Sequence, residues 1–395
     1  MWNTAKLGDV IEKGETMNPT TNPDIQFSYI DVSSIDRVSF SISETQTLLG
    51  KDAPSRARRA VRTGDVLFAT IRPTLQRVAI VPKNLNGEVC STGYIVLRPN
   101  ASIICSKFIF YYMLSEKVKT EMEGLQTGAS YPAVNDTQVK NLNISYPPLA
   151  EQQRIVAKLD AAFTEIDRAI EVVQQQMQQA HSLHQQKTDS VFGEMSGDNT
   201  TLNDVCNLIT CGVAARPEYV EEGIPFLSAQ NVKKGQVIYS NHRYITQEKH
   251  QELTKKNTPV RGDLLYTRVG SFGEAAVVES DIEFSIFVSL TLIKTKSLLN
   301  PYYLKHYLNS QRLKTLASNS LSGSGVGNLN VGTVRKFPIT LPSIEQQLEV
   351  VKSLNDLADR TERLHEAYQR KLANLQSLKS AILAQELQPP KSEAA

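Results

Sequence analysis

A chain of 395 residues exceeds what a single hydrophobic core ordinarily supports, so two or three domains are expected. With 41% hydrophobic and 21% charged residues it is globular in composition, which excludes a wholly disordered, collagen-like or disulfide-scaffold chain. The formal net charge is only +2, but it alternates: residues 1–148 and 196–343 carry +2 and +4, residues 149–195 and 344–388 carry −3 and −1, which suits polyanion contacts on the two basic blocks.

No run approaches the roughly 18 uninterrupted apolar residues of a membrane span, and Met1 to Val10 lacks a basic region followed by an apolar stretch, so a soluble, cytoplasmic protein without membrane contact is expected. Cys90, Cys105, Cys206 and Cys211 form no CxxC pair and read as reduced, mostly buried thiols; no metal site is expected.

In chain order, Leu7-Gly8-Asp9-Val10 is the first landmark, and it returns as Leu202-Asn203-Asp204-Val205, 195 residues later. Tyr29-Ile30-Asp31-Val32, a short apolar run of strand character, returns as Phe226-Leu227-Ser228-Ala229. Lys51, Arg56, Arg58, Arg59 and Arg62 crowd the approach to Gly64-Asp65-Val66-Leu67-Phe68, a turn entering a buried strand that is answered by Gly262-Asp263-Leu264-Leu265-Tyr266. A β-rich run follows each, with Arg72 and Arg77 beside the first.

Helical periodicity then spans 107–124 and 300–317, Asn300-Pro301 resembling a cap followed by a first-turn proline. A glycine-bearing loop comes next in both copies, with Gly128, Ser130 and Tyr131 in one and Gly323, Gly325 and Gly327 in the other. Asn135, Val139 and Lys140 answer Asn330, Val334 and Arg335, and Glu151-Gln152-Gln153 answers Glu345-Gln346-Gln347. The offsets stay between 194 and 198, and so many matches in register indicate an internal duplication.

After Pro147-Pro148 and after Pro342, roughly forty residues pass without a proline. Ile155, Leu159, Ala162, Ile166, Ala169, Val173, Ala180 and Leu183 recur at spacings of three and four, with Gln176 in the same seam. Val350, Leu354, Leu357, Leu364, Leu375, Leu378 and Ile382 do so in the second stretch, where Thr361, Tyr368 and Lys371 fit less well. Heptad spacing calls for a partner helix, and the economical partner is the other copy. At ~1.5 Å per residue each helix is a rod of roughly 60 Å. The predicted architecture is α+β: a globular domain at 1–148, a helix at 149–195, a second globular domain at 196–343, a helix at 344–388 and a tail at 389–395. Two globular domains separated by a pair of long antiparallel coiled-coil helices would make a pseudo-twofold object.

Such an object suits DNA, because symmetric halves read half-sites about one helical turn apart, ~34 to 36 Å, and a stiff spacer fixes the separation. Divergence between the halves predicts a bipartite, asymmetric target. Arg56, Arg58, Arg59, Arg62, Arg72 and Arg77 offer planar forks to phosphate or guanine. Lys233, Lys234 and Arg268 are their thinner counterpart, beside Gln230 and Asn231, whose amides can pair with adenine. The loop with Ser130 and Tyr131 can approach phosphate through its backbone amides. A solvated basic face, a turn role for the two amides, and flexible surface loops are the competing readings.

The duplication, the Gly-Asp-Val-Leu strand entry, the run Pro-Pro-Leu-Ala-Glu-Gln-Gln-Arg-Ile-Val at 147–156 and its partner Pro342-Ser343-Ile344-Glu345-Gln346-Gln347 give the chain a resemblance, over nearly its whole length, to the specificity (S) subunit of type I restriction-modification systems. Arg56 to Arg59 ahead of Gly64-Asp65 also looks like that family. The resemblance implies two target-recognition domains, each reading one half of a split DNA site, alternating with two conserved helical regions that pack antiparallel and bind two methylation subunits. It places S-adenosylmethionine and adenine methylation on those subunits, ATP and magnesium on a separate motor and nuclease subunit, and no cofactor on this chain.

Two rivals compete with that reading. A self-contained methyltransferase or nuclease finds only decoys: Asn300-Pro301-Tyr302-Tyr303 lacks the second proline of an amine-holding motif, the glycines at 323–327 follow no convincing buried strand, and Pro23-Asp24 has no acidic-x-Lys partner. His181 and His184 share a helix face without a third ligand. A coiled-coil scaffold that binds no DNA accounts for the helices but leaves two basic domains idle.

Overall fold

The repeated Gly-Asp pair is a device for burying a charge at the start of the central strand of each half. Gly64 and Gly262 take φ of 88° and 93°, which glycine adopts without a Cβ penalty. The aspartate that follows is buried against a cation on the neighbouring strand. Asp65 accepts Arg98 Nε and Nη2 at 3.0 and 2.9 Å, both side chains being almost inaccessible. Asp263 is ion-paired with Lys294. Each aspartate also accepts the backbone N–H three residues before it, from Arg62 and from Val260, at 2.8 Å.

The structure, a computed structural model, describes residues 1–255, 257–270, 272–321 and 327–389. It divides into two compact units, residues 1–173 with 369–395 and residues 174–368. No helix among the described residues is long and apolar enough to cross a membrane.

In the first unit Val66–Ala69 lies between Tyr94–Pro99 and Val78–Ile80, with Ile11–Glu12 on the outer side of Tyr94–Pro99, in a four-stranded antiparallel sheet. A second sheet orders Glu15–Thr16, Ala57–Ala60, Val89–Ser91, Gln26–Ile30 and Gln46–Leu49, antiparallel except where Gln26–Ile30 meets Val89–Ser91. Asn3–Lys6 pairs with Asn143–Tyr146. Helices α1 (Ser106–Leu114), α2 (Glu116–Leu125) and α3 (Asp136–Lys140) complete it with the first part of α4 (Leu149–Glu194). Phe68, Leu97, Phe108, Ile109, Ile155 and Leu159 are central to its core.

The second unit repeats the plan. Leu264–Thr267 lies between Leu290–Thr295 and Ala275–Val277, with Cys206–Cys211 beyond Leu290–Thr295, and Asp198–Thr201 pairs with Pro338–Leu341. Among the described residues its second sheet has three strands, Arg243–Ile245, Ile224–Leu227 and Ser285–Ile286. Its helices are α5 (Leu202–Val205), α6 (Gln247–Thr254), α7 (Pro301–Asn309), α8 (Gln311–Asn319), α9 (Val331–Arg335) and the start of α10 (Ile344–Glu386).

The continuous helical periodicity over 107–124 and 300–317 is broken in both copies, at a serine. Ser115 and Ser310 are buried and extended, with φ/ψ of −68°/147° and −64°/150°. Each hydroxyl donates to the carbonyl three residues earlier, Tyr112 or Tyr307, at 2.7 and 2.6 Å, and accepts from Val118 or Leu313 at 3.4 Å. One side chain thus closes α1 or α7 and caps α2 or α8.

The glutamine motif has an equally local cause. Gln152 is fully buried; its Nε2 donates to the Ile103 and Pro147 carbonyls at 2.8 Å and its Oε1 accepts the Cys105 N–H at 3.0 Å. Gln347, also fully buried, donates to Leu298 and Pro342 at 3.0 and 2.9 Å and accepts Asn300 at 2.7 Å. The structure therefore pairs Gln152 with Gln347, an offset of 195, rather than matching the Glu-Gln-Gln letters at 194. Three hydrogen bonds on one buried amide fix the start of each long helix to the loop before α1 or α7.

The long helices pack antiparallel within each unit. In the first, Lys158 meets Glu386 at 2.6 Å and Asp167 is ion-paired with Lys379, while Leu159, Ile166 and Val173 are buried and Leu375 is half-buried. In the second, Leu354 is buried, Leu357 is half-buried, and His184 Nδ1 lies 3.2 Å from Thr361 Oγ1. Leu183, Leu364 and Leu378 leave the seam and are 66%, 39% and 47% exposed. The residue after each takes the inner position instead: His184, His365 and Lys379 are half-buried, as are Thr361 and Tyr368, which fitted the heptad pattern less well. At 3.6 residues per turn a helix drifts ~20° per heptad, so a seam counted by leucines alone slips off the buried face.

Candidate nucleic-acid interface

The structure sorts the candidate DNA contacts into side chains used by the fold and side chains offered to solvent. Arg59 is the first kind. Its Nη1 and Nη2 grip Asp136 at 2.7 and 3.1 Å, tying the Ala57–Ala60 strand to the first turn of α3. Arg62 is exposed and ion-paired with Glu15, and Arg58 donates to the Ala57 carbonyl at 2.8 Å. Arg56 is exposed just ahead of its strand. Arg77 is half-buried with an unpartnered Nε.

Arg72, Ser130 and Tyr131, far apart in sequence, are brought together. The bridge Ile71 to Ala133 joins the two loops, the bridge Thr127 to Ala133 closes the second loop on itself, and Arg72 N donates to the Pro132 carbonyl at 2.7 Å. The Arg72 guanidinium carbon sits 5.1 Å from the centre of the Tyr131 ring, and its Nη2 is 3.4 Å from the Ser130 carbonyl. All three residues are exposed, Tyr131 at 72%.

In the second unit two candidates are corrected. Asn231 is 1% exposed; its Oδ1 accepts the Ser228 N–H at 3.0 Å and its Nδ2 donates to Ile238 and Ser240 at 3.1 and 3.0 Å. No part of that amide remains for adenine. Arg268 is 7% exposed and donates to the Leu329 and Val288 carbonyls and to Asn328 Oδ1 at 2.8, 3.1 and 3.0 Å, holding the loop after Thr267 in place. For Asn231 the competing turn role is the one the fold uses, whereas Arg268 closes loops that only the fold brings within its reach.

Gln230 is exposed, its Nε2 donating to the Asn241 carbonyl at 2.8 Å. Lys233 and Lys234 are exposed on the turn between Val232–Lys233 and Gln236–Val237, with Lys234 at φ 50°. A pair absent from the sequence reading stands nearby: the Arg243 guanidinium lies 5.9 Å from the Tyr219 ring centre, on the outer strand of the three-stranded sheet. The basic and aromatic run His242-Arg243-Tyr244 was the available signal. Gly323 and Gly325 lie outside the described residues.

The decoys resolve locally. Asn300 caps α7, accepting the Tyr302 and Tyr303 N–H groups at 2.9 and 3.2 Å. Burial, then the neighbouring His181, lowers the pKa of His184. Burial pushes the Cys90 and Cys206 thiols up to about 12, which leaves them unreactive. Among the described residues no group of three or more His, Cys, Asp or Glu side chains could hold a metal ion.

Two copies of one mixed domain, each joined to a long helix through a buried glutamine, define a duplicated modular protein whose exposed loops differ between the copies. Both copies match one family model, the type I restriction modification DNA specificity domain, over residues 1–176 and again over 198–374. The chain belongs to that family. It is similar to the specificity subunit of the type I restriction enzyme EcoBI of Escherichia coli, 26% identical over 267 residues, 60% of this chain and 56% of that one. With the HindI specificity subunit of Haemophilus influenzae it shares 26% identity over 183 residues, 44% of this chain and 39% of that one, so the chain spans about half the length of these two relatives. The EcoKI subunit of Escherichia coli is 24% identical over 323 residues, 75% and 68% of the two chains. Among solved structures, a chain from a study of complex assembly and conformational transition in the type I R-M system matches with a TM-score of 0.84 and 28% identity, over 98% of this chain and 97% of that one. The HsdS subunit from Thermoanaerobacter tengcongensis matches with a TM-score of 0.60 and 28% identity, over 98% and 96%.

Proposed function

We propose that this chain is the DNA-reading subunit of a type I restriction-modification complex in the cytoplasm. The domain at 1–148 reads one half of a bipartite, asymmetric site in double-stranded DNA and the domain at 196–343 reads the other. The helices at 149–195 and 344–388 dock two methylation subunits, and a motor and nuclease (R) subunit joins through the complex. The chain itself is not catalytic: S-adenosylmethionine, ATP and magnesium are held by the partners.

One observation carries this reading. The two copies keep the same buried devices, Asp65 and Asp263, Ser115 and Ser310, Gln152 and Gln347, while their exposed basic and aromatic residues differ. Selection for a common scaffold with different outward-facing chemistry is what two readers of unlike half-sites require. Phosphate contacts from residues such as Arg56, Arg62, Lys233 and Lys234 would set position and salt-dependent affinity, and a few side chains in the grooves would discriminate bases.

The test is a base-resolution methylation map of a bacterial host without adenine methylation of its own, expressing this chain with a type I methylation subunit that it binds. N6-methyladenine in a split, asymmetric motif that disappears when this chain is omitted is the expected result. A stable complex that yields no motif would remove DNA recognition as the function.

A further inference from the structure

The two copies solve one backbone problem with different residues. The loop after the central strand turns through positive φ twice. In the second unit both positions are glycine, Gly270 at 76° and Gly273 at 88°. In the first unit they are Arg72 at 50° and Gln76 at 47°. The correspondence is fixed by hydrogen bonding: Thr70 N reaches Gly93 O as Arg268 N reaches Ser289 O, and Ala69 N reaches Arg77 O as Thr267 N reaches Glu274 O. The bridges Ile71 to Ala133 and Val269 to Asn328 extend it. Left-handed backbone disfavours any residue with a Cβ, so a non-glycine there needs a reason in its side chain.

Gln76 has a structural one. Its Nε2 donates to the Met113 and Ser115 carbonyls, both at 3.3 Å, securing the junction of α1 and α2. Arg72 has none of comparable weight. Whereas Arg59, Arg62 and Arg98 are held by carboxylates, Arg72 forms no ion pair among the described residues. Its one side-chain hydrogen bond among those residues is the long contact to Ser130 O, and its guanidinium lies over a tyrosine ring that is itself mostly in solvent. The ring contact restrains the guanidinium while the side chain stays exposed.

We infer that Arg72 is a specificity-determining residue that reads a guanine in the half-site of the first domain, with Tyr131 as the platform orienting its guanidinium. A planar fork with paired donors matches the O6 and N7 acceptors of guanine in the major groove. The inference rests on the DNA-reading role proposed above and adds the residue and the base.

The experiment uses the full chain in complex with the methylation subunit and compares the parent with Arg72→Gly, Arg72→Lys and Tyr131→Ala by methylation mapping, salt titration of DNA binding and thermal melting. Arg72→Gly should melt no lower than the parent, since glycine accepts the loop's φ. Its map should lose discrimination at one G·C position of one half-site, on the order of ten- to a hundred-fold, with the other half-site intact. Arg72→Lys, which keeps charge but not the fork, should relax the same position, and Tyr131→Ala should relax it partially. An unchanged motif in Arg72→Gly overturns the inference. So does a uniform loss of binding at every site with a salt slope smaller by about one, which makes Arg72 a phosphate contact. A marked fall in melting temperature for Arg72→Gly also overturns it, by giving the residue a structural role. A parent complex with no bipartite motif overturns the DNA-reading proposal itself.

Discussion

The bond between the first short helix and the long helix is made by different residues in the two halves. In one, Tyr111 donates to Asp160 at 2.6 Å; in the other, His306 Nε2 donates to Asn355 Oδ1 at 2.8 Å. Each residue of one pair lies 195 positions from its counterpart, so the same two backbone sites carry a phenol and a carboxylate in one copy and an imidazole and an amide in the other. Deeper devices did not drift in this way: Ser115 and Ser310, or Gln152 and Gln347, are identical and make the same bonds. A site at which one side chain satisfies three buried backbone groups tolerates no other residue, because any replacement orphans a donor or acceptor at about 1 to 3 kcal/mol. A site that joins two side chains can change both together.

The buried aspartates break this comparison most forcefully. Removing one partner of a buried ion pair leaves the other charge uncompensated, so Asp65→Ala should destabilise the first unit by about 3 to 5 kcal/mol. Lys294 has a quarter of its side chain in solvent, against 7% for Arg98, so Asp263→Ala should cost the second unit less, about 1 to 3 kcal/mol. Denaturant unfolding of each variant, followed by hydrogen exchange to assign the loss to one unit, checks both. Equal costs would mean that the two Gly-Asp devices are energetically interchangeable despite their different burial.

The exchange of tyrosine for histidine predicts a difference in pH response. Burial above all, with like charge from Lys305 and His184 and against the hydrogen bond to Asn355, pushes the His306 pKa down to about 4 from an ordinary 6.5. The unfolded chain therefore binds this proton more readily than the native one. The stability involved is fully present above about pH 6.5 and is lost as pH falls through 6.5 toward 4, on the order of 2 kcal/mol in the second unit. Tyr111 in the first unit, whose pKa burial raises, contributes no such loss. Melting curves between pH 7 and pH 4.5 for the parent and for His306→Tyr combined with Asn355→Asp read the difference. If the double variant kept the same acid sensitivity in the second unit, His306 would not be its source.

Much of this was legible in the sequence, because duplication exposes what must stay the same. The landmarks that recur, Gly-Asp, the glutamine before each long helix and the asparagines that cap α3 and α9, are the ones whose side chains satisfy backbone groups of the fold. The failures share one cause. Whether Asn231 faces a base or closes its own turn, and whether Arg268 reaches DNA or three groups on neighbouring loops, depends on partners as much as 61 residues away. The breaks at Ser115 and Ser310 were hidden by apolar spacing that continues through them. Arg72 was visible as a basic residue, yet nothing in one copy marks its positive φ. Only its alignment with Gly270 does.

The slipped heptad seam gives the smallest effect and the finest test of the same point. By spacing, Leu159, Leu354, Leu364 and Leu378 are equivalent core positions, and each truncation to alanine should cost alike. By burial they are not. Leu159 and Leu354 are 0% and 2% exposed, so their truncation should cost about 2 to 5 kcal/mol, the transfer of the side chain plus the cavity it leaves. Leu364→Ala and Leu378→Ala remove methyl groups already in contact with water and should stay within about 0.5 kcal/mol of the parent in urea unfolding of the isolated chain. The turn that carries Leu378 is secured by its neighbour instead, since the Lys379 ammonium lies 4.9 Å from the Phe163 ring centre and is ion-paired with Asp167. Lys379→Ala should therefore cost more than Leu378→Ala, a reversal of what residue hydrophobicity alone would rank. The opposite order would restore the leucine seam read from spacing.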